Sequence, residues 1–193
     1  MTQPEQPNNK IVNSYLSQWT TLENYALQEK SLNLLFNNLC SDNKSIEDIL
    51  LKVSILNDFY STNIFDTYTV AKHIFDCNID QELLVGNIDL VNKIALVKIK
   101  DKTRNFYFFA SKYCAHHQPT QYAIYDSYVE KMLWHFKKLD KFYDFKRDDL
   151  SNYQVFMDAI KYFSEFYNLQ KFTLKEIDIY LWLAGKKYFP NKY

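Results

Sequence analysis

Only two glycines, Gly86 and Gly185, occur in this chain of 193 residues. Glycine supplies the positive φ angles and close backbone approaches that tight turns, bulges and phosphate-cradling loops require. A P-loop or a dinucleotide fingerprint needs several glycines close together, and neither can be built here. A β-sandwich or barrel, with its many tight turns, is disfavoured on the same ground. The scarcity leaves a helical chain as the expectation.

Apolar spacing agrees. Ile11/Tyr15/Leu16/Trp19/Leu22 and Leu27/Leu32/Leu35/Phe36/Leu39 recur at the three- and four-residue intervals of amphipathic helices. A polar run, Ser41 to Ser45, precedes Ile46/Ile49/Leu50/Val53/Leu56, with Ser45 and Asp48 placed as a capping signal. Ser61-Thr62-Asn63 opens a further helix through Phe75. Helices over Asp80 to Val85 and Asn87 to Lys98 flank Gly86, placed as a helix stop. Ala95 to Ile99 is β-prone, and Lys98 to Arg104 reads as a charged connection. An aromatic helix from Phe106 breaks at Pro119, and a second opens at Asp126, with Ser127 and Glu130 spaced as an overlapping capping box. Asp140 to Asn152 is polar and loop-like. Helices over Gln154 to Tyr167 and Leu174 to Tyr188 close the chain; the second carries a Thr173–Glu176 capping box and is expected to end near Gly185 and Pro190. The expectation is a disordered tail over residues 1–8, then one all-α domain over 9–193, a compact single-domain bundle of about eight or nine helices.

Composition narrows the function classes. Sixteen Tyr and fifteen Phe imply a bulky core with hydroxyls at its edges. Cys40, Cys77 and Cys114 are odd in number and far apart, without a CxxC, which favours reduced thiols over a disulfide scaffold or zinc site. His116 and His117 beside Cys114 point in different directions from a helix end and lack a second pair, so no metal and no cofactor are expected. No apolar run is long enough to span a bilayer, and the N-terminus lacks a signal pattern; no membrane association and a cytoplasmic location are expected. The charge is segregated. Residues 1–97 hold 6 Lys/Arg against 12 Asp/Glu, residues 98–147 hold 11 against 5, and residues 148–193 balance. Such segregation is compatible with a surface facing nucleic acid, and equally with grouped solvated faces.

Three segments in order resemble the helix-hairpin-helix DNA glycosylase superfamily, which contains endonuclease III-like and 8-oxoguanine glycosylases. Leu50 to Ile74 is similar to the family's early helix and turn, and Phe106 to Pro119 to the helix after its hairpin. Ala123 to Leu133 resembles its Val-Asp-Thr-His-Val element, Asp126 matching the catalytic aspartate, Ser127 the hydroxyl residue after it and Val129 the valine beyond. The hairpin glycines are replaced by Lys100 to Arg104, and Lys112 lies about two turns beyond the position of the family's Schiff-base lysine. The resemblance implies a DNA N-glycosylase, with or without lyase activity, acting on a flipped base. Asp126 would stabilise the cationic sugar, and Lys112 would be the nucleophile if burial depressed its pKa.

On that reading Lys98, Lys100, Lys102 and Arg104 contact DNA phosphates, Tyr125 and Ser127 line the base site, and Asn63 fills the gap left by the base. Read from the residues alone, Asp126 is a helix cap, Lys112 a solvated or snorkelling side chain, and the aromatics are core. Two classes therefore stay open: a glycosylase-like DNA-binding protein, and a non-catalytic helical module for nucleic acid or an acidic protein. Neither fixes an oligomeric state.

Overall fold

The computed structural model describes residues 3–190. The chain is all-α in class, with ten α-helices and one two-stranded sheet among the described residues. The helices are α1 (Asn9–Trp19), α2 (Glu23–Leu34), α3 (Ile46–Tyr60), α4 (Thr67–Cys77), α5 (Asp80–Leu84), α6 (Asp89–Ala95), α7 (Tyr107–His117), α8 (Ser127–Asp140), α9 (Tyr153–Phe166) and α10 (Leu174–Tyr188). The strands are β1 (Leu96–Ile99) and β2 (Lys102–Asn105).

Helix starts follow local chemistry. Ser45 accepts from the Asp48 amide, Asp66 from Thr69, and Asn152 from Gln154 and Val155, each filling an orphan donor of the first turn. The Thr173–Glu176 capping box is complete in both directions. Asn8 caps α1 through the amides of Lys10 and Ile11, and Pro7 is buried. Within the expected tail, then, the last two residues belong to the folded structure; residues 1 and 2 lie outside the described residues.

The chain divides into two compact units. One takes the chain up to Glu23 and from Ala123 onward; the other is Asn24–Tyr122. In the first, α10 packs on α1 and α8, and α9 on α8. Gly185 allows the α8–α10 approach: a Cβ there would lie 2.6 Å from the Tyr128 carbonyl oxygen and 2.7 Å from its Cβ. Gly185 is thus interior to α10, which spans Leu174–Tyr188 as the sequence predicts and stops between Gly185 and Pro190. In the second unit, α3 packs on α4 and α7, and α6 on α4 and α7.

Two corrections concern local structure. Lys98 to Arg104 is not a connection but the body of an antiparallel hairpin, in register Val97↔Arg104, Lys98↔Thr103 and Ile99↔Lys102. Its two-residue turn, Lys100-Asp101, is made without glycine: Lys100 itself takes φ +54. Ser61, Asn63, Asn78, Lys141 and Asn168 also occupy the left-handed region, the work glycine would otherwise do. The second correction is at residues 35–39, where the helical path widens to a π turn and the Cys40 amide reaches back to the Leu35 carbonyl at 2.8 Å.

Candidate functional site

Asp126 sits at the start of α8 with extended backbone (φ −143, ψ 150), and its Oδ1 accepts from the Tyr128 amide at 2.9 Å. The capping role holds. The overlapping Ser127–Glu130 box does not form, because Glu130 is engaged elsewhere: Oε1 accepts from Arg147 Nε at 2.6 Å and Oε2 from the Tyr125 hydroxyl. Tyr125 is buried, its ring edge-on to Phe156 at 5.1 Å, so it is a core residue of its unit rather than an open platform for a base. Ser127 is half-buried in the first turn of α8.

Lys112 belongs to the other unit. It is buried, with Nζ over the rings of Tyr60 (5.2 Å) and Phe108 (5.6 Å) and 3.4 Å from the Phe108 carbonyl. The solvated reading of Lys112 is therefore corrected. Asn63 is exposed in the left-handed region, in a loop that Asn57 organises through the Ile64 amide and carbonyl and the Thr62 hydroxyl.

A polar cluster the sequence did not announce lies in the 24–122 unit. Lys52 has no exposed surface, and its Nζ lies 3.1 Å from the Cys40 carbonyl, 2.7 Å from that of Asp42, 2.8 Å from Asn43 Oδ1 and 3.2 Å from His117 Nε2. Asn43 joins this ammonium to a carboxylate. Its Oδ1 accepts from Lys52 and from the Tyr113 hydroxyl, while its backbone amide and Nδ2 donate to Asp80 at 3.1 and 2.6 Å. The π turn places Phe36 over the group, its ring centroid 5.7 Å from Lys52 Nζ and 4.9 Å from His117.

Burial pulls the Lys52 pKa down to about 8, with Cys40, Asp80, Asp48 and Asp42 opposing it. Burial, then the Lys52 charge, hold His117 well below its usual range, so its imidazole is neutral and able to accept from the ammonium. The Lys52 ammonium thus has more acceptors in reach than protons to give, and no exposed surface. It latches residues 40–43 to α3 and is not poised as a nucleophile. One signal was readable in advance: Lys52 lies three residues after Ile49 and four before Leu56, inside the apolar stripe of α3.

His116, six per cent exposed, meets the Tyr60 hydroxyl through Nε2 at 3.0 Å. The two histidines are thus built into their unit rather than merely placed at a helix end. Among the described residues no group of three or more His, Cys, Asp or Glu side chains could hold a metal ion, and no helix is long and apolar enough to cross a membrane.

The outward face of the same unit differs in character. Lys98, Lys100, Lys102 and Arg104 are all exposed on the hairpin. Cross-strand register puts Lys102 and Arg104 on the side of Ile99 and Val97, Lys98 on the opposite side, and Lys100 at the turn. None of the four forms an ion pair among the described residues, although Lys100 is near enough to help lower the Asp66 carboxyl pKa.

No solved structure matches the chain. An uncharacterised protein of Haemophilus influenzae is 48% identical over 151 residues, an alignment covering 78% of this chain and 72% of that protein. The model of the family HI_0787_N, described as an N-terminal domain, matches residues 11–121, the stretch that includes the Lys52 cluster and the basic hairpin, and the chain belongs to that family.

Proposed function

We propose that this protein binds nucleic acid, with the β1–β2 hairpin lying against the phosphate backbone. One observation carries the proposal: four exposed cations and one carboxylate, Asp101, lie within seven consecutive residues of a two-stranded ribbon. Exposed cations spaced along a ribbon can neutralise the phosphates of a backbone that runs beside it. Phosphate contact of this kind needs no hairpin glycine, because side chains rather than close backbone amides carry it. The test is anisotropy titration of a labelled duplex at several salt concentrations, with wild type against the variant in which Lys98, Lys100, Lys102 and Arg104 are all glutamine. Each phosphate contact contributes about 0.9 to the slope of log affinity against log salt. Four lost contacts flatten that slope by about 3 to 4. An unchanged slope rejects the assignment. Binding of a poly-glutamate chain in preference to DNA would mark an acidic-protein module instead.

A second reading, glycosidic-bond cleavage, rests on Asp126. Its support is the resemblance together with a half-buried carboxylate that caps a helix start. Cleavage of duplexes carrying oxidised, alkylated or deaminated bases by wild type, abolished in Asp126→Asn, is its expected result. Inactivity of the wild type across that panel leaves the binding function alone. In borohydride trapping, an adduct lost in Lys112→Ala is the result expected for the lyase branch; an unchanged adduct removes Lys112 from it.

A further inference from the structure

Phe65 is 98% exposed, although phenylalanine usually contributes its ring to a core. It sits immediately before Asp66, the N-cap of α4, and Tyr68 on the first turn is 59% exposed. The chain route places the hairpin tip at this same end of α4. Near the other end, Lys93 at the close of α6 donates to the Cys77 carbonyl at 3.1 Å, and its own carbonyl lies 2.9 Å from His73 Nε2. From there β1 runs along α4, packed against it, and Lys100 at the turn comes near enough to Asp66 to act on its carboxylate. Asp66 does not oppose an anion there with an open carboxylate: its oxygens accept from the Thr69 amide at 3.0 Å and the Thr69 hydroxyl at 2.7 Å.

We infer that Phe65, with Tyr68 beside it, is a stacking platform for an unpaired base, and that the hairpin cations hold the phosphates on either side of that base. The ligand class is single-stranded nucleic acid. An exposed ring next to a cationic ribbon meets both requirements of such a strand, a π face for the base and positive charge for the backbone. Duplex DNA, with its bases already stacked, would use the cations alone. This inference rests on the hairpin reading proposed above, which accounts for backbone contact but gives no reason for the exposed ring.

The test uses the full chain and two fluorescein-labelled probes, a twelve-residue oligothymidylate and a duplex. Phe65→Ala is expected to lower affinity for the single strand about tenfold and to leave duplex affinity within about twofold. Phe65→Trp is expected to retain single-strand affinity, and Phe65→Leu, apolar but without a π face, to lose it. Because the ring touches so little, all three should melt with the wild type. Equal single-strand binding by Phe65→Ala and wild type overturns the stacking inference, while loss of binding in the four-glutamine hairpin variant keeps the backbone reading standing. If the hairpin variant binds both probes as wild type does, the backbone reading falls as well. Binding of neither probe by wild type overturns both. Self-association at high concentration that disappears in Phe65→Ala, without strand binding, overturns the inference in favour of a second copy of this chain.

Discussion

Replacing Lys52 with methionine keeps the length of the side chain and removes its ammonium. In the native fold that leaves the Cys40 and Asp42 carbonyls without their shared donor, while Asn43 Oδ1 keeps the Tyr113 hydroxyl. Each buried acceptor left unpaired costs about 1–3 kcal/mol. Part of this is offset, because methionine avoids the desolvation that draws the Lys52 pKa from 10.5 to about 8. That depression corresponds to about 3 kcal/mol of cost for keeping the charged form buried at neutral pH. The net expectation for Lys52→Met is a loss of about 1–3 kcal/mol.

The pH dependence carries a sign of its own. Between pH 8 and 10.5 the unfolded lysine holds a proton that the folded one has released, so wild-type stability rises with pH across that window. From pH 7 to 9 the wild type should therefore gain about 1 kcal/mol relative to Lys52→Met, which has nothing to titrate at that position. Urea unfolding followed by circular dichroism at pH 7, 8 and 9 reads both quantities. A variant as stable as wild type at pH 7 would refute the latch, and a difference that does not move with pH would refute the depressed Lys52 pKa.

Three other predictions follow from the fold. Gly185→Ala should destabilise by about 1–2 kcal/mol despite alanine's better helix propensity, because the atom met at 2.6 Å is a backbone carbonyl with little room to yield; denaturant midpoints measure it. Lys141→Gly at the left-handed C-cap of α8 should stabilise by about 0.5–1 kcal/mol and raise the melting temperature by about 2–4 °C, and a lower melting temperature would contradict the strain argument. Asp126→Ala should cost about 1 kcal/mol as a lost cap, an effect on melting that stands whether or not the residue has any catalytic part.

Features decided within one turn of chain were legible in the sequence. Ser45, Asp126 and Thr173 cap the helices they were expected to cap, since a hydroxyl or carboxylate two or three residues before an orphan amide needs no distant partner. What escaped depended on distance. Glu130 forgoes the Ser127 box because Arg147, seventeen residues on, and Tyr125 claim its oxygens. The hairpin was masked by a run of charges, in which Val97 and Ile99 gave the strand signal and a lysine, rather than a glycine, turned the corner. Lys52 was visible as a lysine in an apolar stripe, but its partner loop and Asp80 come together only in three dimensions. The division into two units is likewise a matter of which ends of the chain pack together, and no composition shift at Glu23 or Tyr122 marks it.

Two of the oxygens that Lys52 grips, those of Cys40 and Asp42, are main-chain atoms, and every amino acid carries one. The latch is therefore indifferent to what stands at residues 40 and 42 as far as these bonds go, and exacting at residues 43 and 52, where the side chains themselves make the contact. A saturation scan should show that contrast directly, with sharply restricted columns for Asn43 and Lys52 beside a permissive one for the half-exposed Asp42. A loop that looks like an ordinary polar spacer would then read, in substitution space, as one indispensable amide set among interchangeable neighbours.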